Sequence, residues 1–285
     1  MEIKSVAVIG AGTMGNGIAQ VIAAGGFPVV MTDINEPALQ RGLGAIDKSL
    51  QRLVSKQKLD ANEKDVLLAR IRTTTRLDDI AGCDVIIEAA TENIDLKLKI
   101  FADLDRIAKP DAILASNTSS ISLTRIAGAT KRPAQVIGMH FFNPVPVMPL
   151  VELIRALQTS DGTYQTVRIL TEKLGKSPVE VRNSPGFVGN RILLPMLNEA
   201  VYCLHEGLSS AEDIDSVMKL GMGHPMGPLA LADLIGLDTC LAILQVLHDG
   251  FKDPKYRPCL LWQEKVDAGQ LGRKSGRGFF DYAKA

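Results

Sequence analysis

Ser5-Val6-Ala7-Val8-Ile9-Gly10-Ala11-Gly12-Thr13-Met14-Gly15 joins a short apolar run to a glycine-rich turn. Val6 to Ile9 has the continuous apolar character of a strand covered on both faces. Gly10, Gly12 and Gly15 fit G-x-G-x-x-G, placed directly after that strand and at the start of a helical pattern. In this setting the first glycine permits the tight turn and the third lets helix and strand pack closely. Gly12 removes the Cβ that would block a pyrophosphate, while Thr13 and Met14 open the helix whose free N–H groups would face it. Asp33 ends the next apolar run, 28–32, where a carboxylate can bind adenosine ribose hydroxyls and repel a 2′-phosphate. The pattern therefore favours NAD(H). NADP(H) is not excluded, because Arg41 lies nearby in sequence.

Working outward, residues 84–88, 112–115 and 135–139 are further apolar runs, and Val151-Glu152-Leu153-Ile154 is another. Helical patterns lie between them, such as 96–107 with Leu96, Ile100, Leu104 and Ile107 at helical spacing. Alternation of this kind predicts an α/β fold with a doubly wound Rossmann-type sheet. The polar helical segment 36–70 is too long for a simple crossover and predicts a helical hairpin projecting from the sheet. Its Lys48, Arg52, Lys56 and Lys58 form either a solvated face or a local basic feature. Strand character ends near residue 181. Asn183-Ser184-Pro185-Gly186 then reads as a turn, with Ser184 as cap and Pro185 opening a helix. Only helical patterns follow: 187–205, 211–220, 229–234, 238–247 and 259–268. The division is residues 1–184 for the sheet domain and 185–285 for an all-α domain, closed by the tail Gly272 to Gly278.

The 285 residues carry 32 basic and 32 acidic side chains, a balance that argues against a nucleic-acid binder. Four cysteines without a C-x-x-C pair exclude a local zinc-ribbon motif and fit a reducing cytoplasm. No window offers eighteen apolar residues, and the N-terminus lacks a leader pattern, so the expectation is a cytoplasmic protein without membrane or metal.

A nicotinamide-dependent alcohol oxidation needs a base, and His is the side chain that titrates near neutrality. Of the four His, His140 ends the run 135–139, at the sheet edge where ligands bind. His205 and His248 sit late in helices and His224 in a turn. Glu152, twelve residues after His140, is a half-buried carboxylate in need of a partner, either His140 or one of Arg155 and Arg191. Ser116-Asn117-Thr118-Ser119-Ser120 also falls at a strand end. Its polar groups are candidates for a substrate oxygen or a carboxamide, and Ser119 or Ser120 for capping a helix over 121–127.

Together these stretches resemble the short-form 3-hydroxyacyl-CoA dehydrogenases, the bacterial 3-hydroxybutyryl-CoA enzymes above all. The matching motifs are GAGTMG at 10–15, EAATEN at 88–93, SNTSS at 116–120 and GMHFFNPVPVMPLVEL at 138–153. NSPGFVGNR at 183–191, HPMGPLALAD at 224–233 and GRKSGRGFFDY at 272–282 continue them, so the resemblance spans nearly the whole chain. It implies a catalytic base at His140 paired with Glu152, and substrate contacts from Ser119 and Asn190. It further implies nicotinamide-side contacts from Glu92, Lys97 and Asn117, and coenzyme A contacts from Ser49 and Lys56. An acyl-CoA thioester substrate and a homodimer formed by the helical domain are implied as well. A neighbouring branch, similar to gulonate dehydrogenase and lambda-crystallin, would instead act on a free hydroxy acid or sugar acid. Pro149 stands where many relatives carry Lys, and Gly189 where Val is common.

Overall fold

In the computed structural model, which describes residues 2–283, β1 (Val6–Ile9) lies inside an eight-stranded sheet. It is flanked by β2 (Val29–Thr32) on one side and β4 (Val85–Glu88) on the other, both parallel to it. The remaining strands are β3 (Ile71–Thr74), β5 (Ile113–Ser116), β6 (Val136–Phe141), β7 (Leu150–Arg155) and β8 (Ser177–Arg182). The order is β3-β2-β1-β4-β5-β6-β7-β8. Strands β1 to β6 run parallel, β7 runs antiparallel to β6, and β8 runs parallel to β7. The chain winds outward in both directions from β1 and β4, so a crevice opens beyond their C-terminal ends.

Helix α1 (Thr13–Ala24) follows the glycine turn and buries Ile18, Ala19 and Ile22 against the sheet. The hairpin foreseen over 36–70 is α2 (Glu36–Ser55) and α3 (Ala61–Ala69). Asn35 caps the first helix, and Asp60 with Glu63 forms a capping box on the second. Leu39, Ile46 and Leu50 join the main core, whereas the end around 51–65 is largely exposed. Strand β3 was not foreseen: only Ile71 is buried on this edge strand, so its polar sequence lacks the apolar run of its neighbours. Helices α4 (Ile94–Ile107), α5 (Leu123–Gly128) and α6 (Asp161–Lys173) complete this part of the chain.

The chain divides into two compact units, Met1–Asn183 and Ser184–Ala285. The second contains α7 (Gly189–His205), α8 (Ala211–Ser216), α9 (Pro228–Ile235), α10 (Leu237–Phe251) and α11 (Leu260–Asp267). A π-helical turn, Val217–Gly221, extends α8. Leu197, Val201, Leu237, Leu244 and Trp262 form its core. Asn198 is buried at its centre, accepting from the Cys259 N–H and the Trp262 Nε1–H, both at 2.9 Å. The start foreseen at Pro185 is corrected: α7 begins at Gly189. Gly186 and Phe187 have φ of +70° and +51°, outside right-handed helical space, and Phe187 is buried there. Gly189 thus occupies the first helical position, where its entropic cost is smaller than in a helix interior. The glycine-rich tail wraps Asp233, whose carboxylate accepts from the Phe279 and Phe280 N–H groups and the Tyr282 hydroxyl.

Among the described residues no single helix is long and apolar enough to cross a membrane, and no cluster of three metal-ligating side chains occurs.

Candidate functional site

The glycine turn is packed backbone against backbone. Gly10 has a φ of +100°, and a Cβ there would lie 2.7 Å from the Ala89 carbonyl oxygen. A Cβ on Gly15 would lie 1.8 Å from the Gly10 oxygen, so helix and turn touch backbone to backbone. A Cβ on Gly12 would meet nothing within 4 Å. Gly12 and Thr13 are exposed, Met14 is half-buried, and no side chain caps α1. Its first-turn N–H groups therefore remain available to an anion. A cleft of about 700 Å³ runs along this turn.

Asp33 lines the same cleft, just beyond β2. Its carboxylate accepts from the Ala11 and Ile34 N–H groups, both at 2.7 Å. Those bonds aim it and leave further lone pairs for ribose hydroxyls. Arg41 is also in the lining. The cradle and the acid together fit the ADP half of a dinucleotide.

Sequence reading missed the cleft's apolar wall. Leu96 and Ile100 face the cleft, while α4 buries Lys97, Phe101 and Leu104 instead. Helical spacing alone cannot separate a face that meets the core from one that meets a ligand.

Lys97 departs from the expectation of a direct cofactor contact. It is 1% exposed and its ammonium pairs with Glu88 at the end of β4, with Ser116 Oγ 3.3 Å away. The countercharge offsets the cost of burying an ammonium. The Ser116 hydroxyl also donates to Glu88 at 2.8 Å. The other Glu88 oxygen accepts from the N–H groups of Ala90 and Thr91, which line the cleft. Lys97 thus acts beneath the cleft, holding the loops after β4 and β5.

Glu92 is exposed and gathers the second of these loops. Its carboxylate accepts from the Thr118 hydroxyl at 2.7 Å and from both the N–H and hydroxyl of Ser119, at 2.7 and 3.0 Å. Asn117 is buried, with its side-chain oxygen accepting the Phe141 N–H at 2.9 Å. That bond ties the SNTSS loop to the strand carrying His140. The helix cap expected from Ser119 or Ser120 is corrected: Ser122 caps α5, which begins at Leu123.

His140 and Glu152 are register partners on the antiparallel strands β6 and β7. Opposed residues point to the same face of a sheet, so the pairing follows from the strand register. His140 Nδ1 lies 2.8 Å from Glu152 Oε2, and both side chains are buried. Arg155 pairs instead with Asp161 and Glu180, and Arg191 stacks its guanidinium on Phe251. Towards an ionised carboxylate Nδ1 must donate, which makes Nε2 the basic nitrogen. The other three His belong to the helical unit.

Ser49 lies on α2, and Lys56 is the residue that ends it. Ser49, Arg52 and Lys56 stand at i, i+3 and i+7, on one helix face, with Arg52 and Lys56 exposed. Asn190 lies in the first turn of α7, in the helical unit.

The two units coincide with two known families of sequence. Residues 5–184 match the 3-hydroxyacyl-CoA dehydrogenase NAD binding domain, and residues 186–282 match the 3-hydroxyacyl-CoA dehydrogenase C-terminal domain. A probable 3-hydroxybutyryl-CoA dehydrogenase of Bacillus subtilis is 56% identical, with 99% of this chain and 98% of the relative aligned. A 3-hydroxybutyryl-CoA dehydrogenase of Bradyrhizobium diazoefficiens is 54% identical, over 99% and 97% of the two chains. The crystal structure of (S)-3-hydroxybutyryl-CoA dehydrogenase from Ralstonia eutropha superposes with a TM-score of 0.96 at 58% identity, covering 99% of each chain. Over its whole length, then, the chain belongs to the 3-hydroxyacyl-CoA dehydrogenase family.

Proposed function

We propose that the chain interconverts a short (S)-3-hydroxyacyl-CoA and the 3-ketoacyl-CoA with NAD(H), using His140 as the base. The observation that carries this reading is the buried His140–Glu152 pair at 2.8 Å, in an NAD-binding unit of this family. When bound, the nicotinamide accepts the hydrogen and electron pair that leave C3 of the substrate. His140 Nε2 takes the hydroxyl proton in the same direction and returns it to the ketone oxygen in the other. Glu152 holds the imidazole in one tautomer and supplies the countercharge for the proton it gains. Ser119, on the loop after β5, is the polar group of the sheet unit that the family resemblance gives to the 3-oxygen and thioester region. Asn117 and Glu92 order the nicotinamide side. Glu92 acts there through its hold on the Thr118–Ser119 loop.

Asp33 supports NAD(H) over NADP(H), since a 2′-phosphate beside its carboxylate would be repelled. The α2 face with exposed Arg52 and Lys56 beside half-buried Ser49 supports contact with coenzyme A, whose phosphates need cationic partners. A homodimer built by the helical unit belongs to the same reading. It is supported by an apolar groove lined by Met196, Ala200, Leu208, Val217 and Met218, with Leu208 and Val217 exposed. Sedimentation velocity on the purified chain tests it. A cytoplasmic setting fits the buried free thiols of Cys83, Cys240 and Cys259, and cell fractionation tests that.

The deciding experiment is a paired assay of acetoacetyl-CoA and free acetoacetate, each with NADH and NADPH. Rapid turnover of the thioester with NADH is expected. Turnover confined to the free acid would overturn the substrate assignment.

A further inference from the structure

Residues 142–149 connect the strand that carries His140 to the strand that carries Glu152. In this connection Val145 alone is buried. Internally it has little to hold it: the N–H groups of Val147 and Met148 both donate to the Pro144 carbonyl, at 2.9 and 3.0 Å. The firm anchor comes from elsewhere. Lys176, the residue before β8, donates from its ammonium to the Val145 carbonyl at 2.6 Å and to the Met148 carbonyl at 2.7 Å. Immediately after it, the Ser177 N–H donates to the Pro149 carbonyl at 2.8 Å, where the β7–β8 ladder begins. Three carbonyls of one loop are thereby fixed by two successive residues of another segment.

Lys176 is 9% exposed and makes no ion pair among the described residues. Burial without a carboxylate is costly for an ammonium, and it lowers the pKa of this side chain below the ordinary lysine value. The two carbonyl dipoles replace the water that the ammonium gave up. From the other side Val145 seats the loop on α1, where a Cβ on Gly17 would come within 2.9 Å of the Val145 Cβ. The loop is thus gripped between Lys176 and the helix that follows the glycine turn. Register in a hairpin is set by its connection, and a slip of one residue would turn Glu152 away from His140.

We propose that Lys176 is a positioning residue for the His140–Glu152 pair, acting through the carbonyls of Val145 and Met148. The proposal rests on the catalytic reading of that pair. Misplacing a reacting group by about 1 Å can cost on the order of a hundredfold in rate while binding contacts persist. Lys176→Met is therefore expected to lower kcat by roughly ten- to a hundredfold. KM for acetoacetyl-CoA and the NADH dissociation constant should stay within about twofold, since binding contacts are untouched. The His140 Nδ1 proton resonance, read by NMR with and without NADH, should move in Lys176→Met.

Lys109→Met is the control, because Lys109 pairs with Asp84 just before β4, at the N-terminal end of the parallel strands and away from Lys176. It should lower the melting temperature and leave kcat as in the wild type. Should Lys176→Met fail to fold, Lys176→Gln keeps a two-proton donor at the position and is expected to show a smaller resonance shift in the same direction together with a smaller loss of kcat. A folded Lys176 variant with wild-type kcat and an unmoved His140 resonance would overturn the proposal. So would an equal kcat loss in Lys109→Met, which would indicate general loosening. Absence of turnover in the wild type would instead sink the catalytic reading itself, with the NMR arm still reporting on the Lys176 anchor.

Discussion

Strand β4 is bracketed by two buried acids, Asp84 just before it and Glu88 at its end. Each is paired with a lysine and each accepts two backbone N–H groups. Asp84 takes those of Lys4 and Ser5, with Lys109 as its cation. Glu88 takes those of Ala90 and Thr91, with Lys97 as its cation and the Ser116 hydroxyl as an added donor. The chemistry is nearly the same, but the consequences differ. Asp84 staples the segment leading into β1 at the sheet's N-terminal edge. The N–H groups that Glu88 fixes belong to residues lining the cofactor cleft. A charge pair is structural or functional according to what its hydrogen bonds hold in place.

The sharpest contrast comes from His140→Gln, near the C-terminal end of β6. It removes the proposed base, and kcat should fall by about a hundred- to ten-thousandfold with the fold intact. NADH binding by fluorescence and a thermal melt would both stay near wild type. Turnover close to wild type in the folded variant would remove His140 from the mechanism.

Lys97→Met probes Glu88 at the end of β4. It strands the Glu88 carboxylate in the interior, and breaking a buried pair by removing one partner costs about 3–5 kcal/mol. Urea unfolding should register that loss, and NADH affinity should weaken because the Ala90–Thr91 backbone loses its anchor. A large stability loss with unchanged NADH affinity would make Glu88 a mere staple, like Asp84.

Asp84→Asn should have the smallest effect, about 1–3 kcal/mol for a charge-assisted bond. Its signature is in pH. Burial pushes the Asp84 carboxyl up, but the hydrogen bonds from Lys109, Lys4 and Ser5 overcome this and hold it below the ordinary carboxylate value. A depressed folded pKa means stability that is present above the unfolded value and lost as pH falls through the folded one. Melts from about pH 7 to about pH 3 should show the wild-type advantage over Asp84→Asn shrinking towards zero. An advantage constant across that range would contradict the assignment.

Much of the molecule was legible in the residues. The glycine turn, Asp33 and the runs that became β1, β2 and β4 to β6 are local signals, because buried parallel strands advertise themselves as continuous apolar sequence. β3 was invisible for the complementary reason: an edge strand need bury little. The start of α7 was misread because turn residues mimic a cap, and only the left-handed φ of Gly186 and Phe187 delays the helix. Lys97 could be picked out by motif, yet whether its ammonium faces a ligand or a buried acid depends on β4 and β5 lying side by side.

By itself, then, the sequence determined which side chains are available: one His in the sheet unit, an acid twelve residues on, and glycines where a Cβ could not fit. Tertiary structure chose their partners. Glu152 had three candidates, and the antiparallel register of β6 and β7 selected His140 while Arg155 was drawn to Asp161 and Glu180. Lys176 carried no signal at all, because donation to main-chain carbonyls leaves no trace in the identity of the residues that accept. Local propensity acts over a few neighbours in the chain, whereas the pairing of buried charges is settled by which segments the core brings together.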